Sequence, residues 1–191
     1  MASPALLPAI LYTDYVTAEF AAESKHEFVE GHVLAMAGGT AEHAALVAAI
    51  TVQLGSQLRG KSCRVYSSDL RIRMQEVDVA CYPDVTVVCG AIVHDVQDRY
   101  CATNPTVIVE VLSTSTEAYD RGNKFAFYRT IKTLQQYILV SQDKALVERF
   151  VRNADTSWTL TAFGPGSNVD VAAIQCEIIV DDLYEGLTLG Q

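Results

Sequence analysis

Glu110 sits inside an apolar β-type run, Thr106-Val107-Ile108-Val109-Glu110-Val111-Leu112. Burying an ionised carboxylate among such side chains is costly unless it has a partner. Glu110 therefore reads as a structural ion pair, or as a metal ligand or catalytic acid. A second acid, Asp84, stands at the mouth of another apolar run, Pro83-Asp84-Val85-Thr86-Val87-Val88-Cys89. Neighbouring strands lie about 4.8 Å apart, so both carboxylates could meet on one divalent ion. Mg²⁺ is typically held by one or two carboxylates, waters and a substrate phosphate. Such an ion would polarise a phosphodiester and lower the pKa of the attacking water. A nearby lysine would neutralise charge building on the phosphate. Beyond Leu112 come two hydroxyl-rich turns, where Thr114 and Glu117 could form a capping box. A helix-type segment with Asp120, Arg121, Lys124 and Tyr128 follows. Starting that helix at Asp120 and running it to Thr130 puts Lys124 in its first turn. There the macrodipole disfavours a cation unless an anion is close. Lys124→Met is then expected to spare folding and lower any cleavage.

The elements that must position these residues begin with a short helix capped by Thr13. A hairpin follows over residues 24–37, turning at Glu30-Gly31, with Glu27 and Glu30 expected to face solvent. Thr40 suits the N-cap of a helix whose apolar stripe runs Ala44, Val47, Ala48, Thr51, Leu54 and Leu58. His43 lies in its first turn, mostly a place for surface histidines. Two strand-type pieces follow, residues 62–66 and 70–74. The second alternates Leu70 and Ile72 with Arg71 and Arg73, the pattern of a half-exposed strand. The window from Arg59 to Arg73 is the most basic in the chain and the obvious phosphate-facing surface, with Arg71 and Arg73 as nucleic-acid contacts. The stretch from Gly90 to Asn104 reads as a polar loop. Strands are expected over residues 136–141, 147–152, 158–163 and 174–180, with a short helical end near Asp181 to Tyr184. The order of elements is an α+β pattern around a mixed β-sheet flanked by helices.

At 191 residues the chain reads as one domain, 1–191, long enough for a sizeable core. Half the residues are hydrophobic and 19% are charged, which excludes a disordered chain. The net charge of −9 argues against bulk electrostatic binding of nucleic acid, although a local patch is compatible with it. The five cysteines form no CxxC pair and read as core thiols of a reducing, cytoplasmic protein rather than a zinc site or disulfide framework. The apolar N-terminus has two prolines and no basic flank, so it reads as neither signal peptide nor membrane span.

The ordered set Pro83-Asp84, Glu110-Val111-Leu112-Ser113, Asp120, Lys124 and Tyr128 resembles the restriction endonuclease-like proteins of the PD-(D/E)XK nuclease superfamily, a family abundant in cyanobacteria. The likeness extends to the Glu27–Gly31 turn, the helix entry with His43, and Tyr137 to Ser141. It implies a core of helix, three strands, helix and strand, here with an N-terminal hairpin and C-terminal strands. It further implies Asp84 and Glu110 as metal ligands for Mg²⁺ or Mn²⁺, DNA as partner, no membrane, and a homodimer for cutting two strands. The family pattern places lysine two residues after the second acid, and here that position is Leu112. Lys124 is the natural substitute, with His43, Glu27, Asp120 and Tyr128 as accessory residues. Three readings stand side by side: a metal-dependent endonuclease, a nuclease-fold binding module without turnover, and a structural homo-oligomer. The nuclease is preferred.

Overall fold

In the computed structural model, residues 9–36, 38–113 and 116–189 are described. Helix α1 (Tyr12–Ala21) is followed by the hairpin β1 (His26–Val29) and β2 (His32–Ala35). Glu30 and Gly31 make its turn with φ of 49° and 86°, a conformation Gly31 adopts without a Cβ clash. Helix α2 (Ala41–Gln57) leads to β3 (Cys63–Ser67), β4 (Arg71–Met74), β5 (Val79–Cys81) and β6 (Val85–Cys89). The short β7 (Cys101–Ala102) precedes the central β8 (Val107–Leu112). The segment after it is a turn of α3 (Glu117–Tyr119), a π turn (Asp120–Lys124) and α4 (Phe125–Tyr128). The remainder is β9 (Gln136–Ser141), β10 (Val147–Arg152), β11 (Trp158–Phe163), β12 (Asn168–Val171), β13 (Cys176–Ile179) and α5 (Val180–Tyr184). Among the described residues no helix is long and apolar enough to cross a membrane.

The central sheet has the order β11-β10-β9-β8-β6-β3 and is mixed, with β8 and β9 parallel. A second sheet, β2-β1-β5-β4-β7, covers part of one face, and β12-β13 form a separate ribbon. Alternation along β8 divides the core. Val107, Val109 and Val111 pack with Leu46, Ile50 and Leu54 of α2 and with β12, β13 and α5. Ile108 and Leu112 point the other way, toward Tyr128, Tyr137 and the second sheet. Glu110 shares that second face, so the chain from Tyr119 to Tyr128 must cover it.

Several expectations change in three dimensions. The buried stripe of α2 is Leu46, Ile50, Leu54 and Leu58, one step round from the alanines Ala44 and Ala48, which are exposed. The larger side chains win the core because they remove more apolar surface from water. Helix α1 starts on Leu11 without a side-chain cap, so Thr13 lies inside it. The helix expected from Asp120 begins at Glu117 and reaches Lys124 through a π turn; the Thr114 capping box lies outside the described residues. Strand β4 is buried along its whole length rather than half-exposed. Cys63 and Cys89 are directly opposed across β3 and β6 and joined as a disulfide, while Cys81, Cys101 and Cys176 are buried free thiols. The pairing register brings that pair together, and 26 residues of sequence separation conceal it.

Candidate active site

Strands β6 and β8 are antiparallel, pairing Val85 with Val109. One step outward, the backbone N–H of Asp84 donates to Glu110 Oε2 at 3.2 Å, and the N–H of Val111 donates to Asp84 Oδ2 at 2.8 Å. Each acid is thus held by a backbone N–H at the end of the other's strand, just beyond the ladder. Pro83, which has no N–H to give, ends the run just before the crossing.

Lys124 enters from the helical side. Its Nζ lies 3.0 Å from Glu110 Oε1, 3.2 Å from Glu27 Oε1 and 3.5 Å from Asp120 Oδ1. All four of these side chains are buried. Asp120 and Lys124 begin and end the π turn, a distortion that recurs at functional sites. The Tyr128 hydroxyl, one turn on, donates to Glu110 Oε1 at 2.8 Å. Leu112, in the place of the expected strand lysine, is buried in the apolar cluster with Ile108 and Tyr128. The ammonium beside Glu110 is that of Lys124, on the helical segment.

His43 joins from α2. Thr40 caps that helix by accepting from the His43 N–H at 3.1 Å, and the ring Nε2 lies 3.2 Å from Asp84 Oδ2. Gly39 leaves room for the imidazole: a Cβ there would stand 2.7 Å from His43 Nδ1. The bond to Asp84 pushes the His43 pKa up, with partial burial opposing it. The imidazolium that the helix dipole disfavours is thus favoured by a carboxylate.

Glu27 was expected to face solvent but is buried, bonded to Lys124 and to the backbone N–H of Tyr82. The hairpin pairs with β5, which carries it over the site. Tyr119 is a residue the sequence reading missed. With Asp84, Glu110, Asp120 and Lys124 it lines a cavity of about 490 Å³, and its buried hydroxyl has no hydrogen-bond partner among the described residues. Its signal was weak, one aromatic beside Asp120.

Electrostatically the site has a surplus of acid. Glu27, Asp84, Glu110 and Asp120 face one lysine and one histidine. Burial pushes the Glu110 carboxyl up, to about 8; Lys124 opposes that shift, and Asp84, Asp120 and Glu27 reinforce it. Burial also raises Asp120, against Lys124. Burial works against the charged Lys124, but Glu110, Glu27 and Asp120 outweigh it and hold the ammonium charged far above its ordinary range.

Arg71 and Arg73 do not belong to an open phosphate-facing surface. Both are buried, with Arg71 paired to Asp98 and hydrogen-bonded to Tyr15 and Tyr82. Arg73 pairs with Asp78, its guanidinium 3.7 Å from the Tyr12 ring centroid. The alternation that suggests solvent exposure comes instead from a second buried face, under α1. Asp98, the partner that makes this possible, lies in the stretch expected to be a featureless loop.

A mixed sheet with two acids at a strand crossing and a buried lysine beside them defines a restriction endonuclease-like, nuclease-type fold. The chain belongs to the Uma2 family, described as "Putative restriction endonuclease", whose model matches residues 12–181. It is 32% identical over 180 residues to an uncharacterized protein of Synechocystis sp., covering 94% of each chain. It is 34% identical over 158 residues to a second uncharacterized protein of that organism, covering 83% of this chain and 89% of the other. A crystal structure of a protein from Anabaena variabilis, described as a putative nuclease belonging to DUF820, matches 92% of this chain and 98% of its own with a TM-score of 0.74. At 17% identity that likeness concerns the fold.

Proposed function

We propose that the chain is a divalent-metal-dependent endonuclease that hydrolyses phosphodiester bonds in DNA. The observation that carries this reading is the ammonium of Lys124 at 3.0 Å from Glu110, whose other oxygen accepts from the Asp84 backbone. Two acids and a lysine come together although Leu112 occupies the strand position of the motif cation.

The donor set suits Mg²⁺ or Mn²⁺. Among the described residues no three His, Cys, Asp or Glu side chains form a ready ligand cage. A hard cation completed by waters and phosphate needs only one or two carboxylates. Asp84 and Glu110 would hold it, and the acid surplus around them is what such a charge offsets. When bound, the ion supplies Lewis-acid polarisation and a more acidic water. The protein's own groups do the rest. His43 and the Val111 N–H fix the Asp84 carboxylate, and Tyr128 fixes Glu110. Lys124 orients water and stabilises charge on the phosphate. Cutting a duplex would take two copies of the site, which a homodimer supplies.

A second reading has an observation of its own. Lys124 is held by three acids at once, which also suits a closed structural cluster in a binding module without turnover. Mn²⁺ calorimetry and plasmid nicking separate the two. The endonuclease binds Mn²⁺ and nicks, and both are lost in Asp84→Asn and Glu110→Gln. Equal metal binding in parent and variants, or absence of nicking under Mg²⁺ and Mn²⁺, overturns it.

A further inference from the structure

A second groove, of about 620 Å³, lies outside the acid–lysine cluster, between α1 and the residues around Asp98. Phe20 and Tyr100 stand on its rim with their ring centroids 5.6 Å apart and planes within 21° of parallel. Phe20 is 72% exposed and Tyr100 49%. The Arg99 guanidinium lies 4.8 Å from the Tyr100 centroid and donates to the Tyr100 hydroxyl at 2.6 Å, which places a cation beside the rings. Leaving two large rings this open forfeits the stabilisation that burial would bring. Rings stacked on one another in this way offer an outer face on which any nucleobase can continue the stack.

Two features connect the groove to the site already described. Tyr82 lines both cavities, and Asp84 follows it two residues along the chain. The hydroxyl of Tyr82 accepts from Arg71 at 2.9 Å and donates to Glu19 at 2.9 Å, so the shared ring is held from two sides. Charge narrows the occupant. Duplex binding draws its affinity from surface cations and counterion release. Here the net charge is −9, and Arg71, Arg73 and Lys124 are committed to internal acids. A single strand also draws on backbone cations, but fewer per phosphate, and its bases are free to add stacking that a closed duplex cannot offer.

We propose that the groove takes an unpaired nucleotide of the strand whose phosphate reaches Asp84 and Glu110, its base stacked on the Phe20–Tyr100 pair. This rests on the nuclease reading and narrows its substrate to single-stranded or locally unpaired nucleic acid, for which one site per cut suffices. The test is fluorescence anisotropy with a fluorescein-labelled single strand and the matching blunt duplex, in EDTA so that cleavage plays no part. The single strand should bind at least about 10-fold more tightly. Phe20→Ala and Tyr100→Ala should each weaken it by about 10-fold, while Phe20→Trp and Tyr100→Trp keep it. Phe20 is exposed enough that its replacement leaves folding alone, as circular dichroism would verify. Equal or tighter duplex binding, unchanged alanine variants, tryptophan variants as weak as alanine, or no binding of the single strand would each overturn the proposal. Cleavage of the same labelled single strand by the parent in Mn²⁺ is read separately, so a nuclease without this base subsite and a binding groove without turnover give different results.

Discussion

Lys124→Met removes one ammonium from a buried cluster of three acids. From the sequence, folding is expected to stay largely intact; three buried acid contacts argue for a real loss of stability. With Nζ at 3.0, 3.2 and 3.5 Å from Glu110, Glu27 and Asp120, the lysine compensates charges that are out of water. Breaking a buried pair from one side costs about 3–5 kcal/mol, a large part of the about 5–15 kcal/mol that keeps a domain folded. The sign of the pH dependence follows. Acids stranded without the lysine have folded pKa values above their unfolded ones. Their cost is greatest at high pH and falls as they take up protons on acidification. Urea melts at pH 8 and pH 5 should show a large deficit that shrinks toward pH 5. Adding Glu110→Gln should return about 1–3 kcal/mol, since the two sites are in contact. A variant within about 0.5 kcal/mol of the parent at pH 8, or a deficit that grows on acidification, would refute the compensation argument.

Asp98→Asn strips Arg71 of its nearest buried carboxylate, leaving Glu19 at 3.9 Å, and should destabilise by up to about 3–5 kcal/mol, read by urea melts, while the salt slope of any nucleic-acid binding stays unchanged. Tyr119→Phe removes a buried hydroxyl without a partner among the described residues. It should leave the Tm unchanged or raise it, because no hydrogen bond is lost; a clear fall in Tm would reveal a missed partner. Alkylation of the unfolded, unreduced chain should modify the three free cysteines, and two more after reduction, as mass spectrometry would count.

The strands and the two acids were legible because apolar runs and a misplaced carboxylate are local signals. Glu110 advertises itself by being charged where its neighbours are not. His43 and Glu27 carried no such mark and were named only through the family resemblance. Their places beside the acids depend on α2 and the hairpin arriving beside β6 and β8, which is a matter of topology. The arginines of β4 misled for a related reason. Alternation reports two different faces, not which of them meets water, and the acid that covers Arg71 is 27 residues away. The aromatic rim and Tyr119 were invisible for the same cause, since exposure is known only once the chain is folded.

The acid surplus around Lys124 has a consequence for how such a site can change over generations. Leu112 and Glu110 lie on one face of β8, and Lys124 reaches that face from the helical segment that covers it. A chain carrying lysine at both positions would still have more acids than bases there, so the duplicate charge would find a partner rather than a repulsion. The cation could therefore pass from strand to helix, or back, through an ancestor that held two, never one that held none. In such a lineage the place of the lysine in the sequence drifts while its place in space is kept.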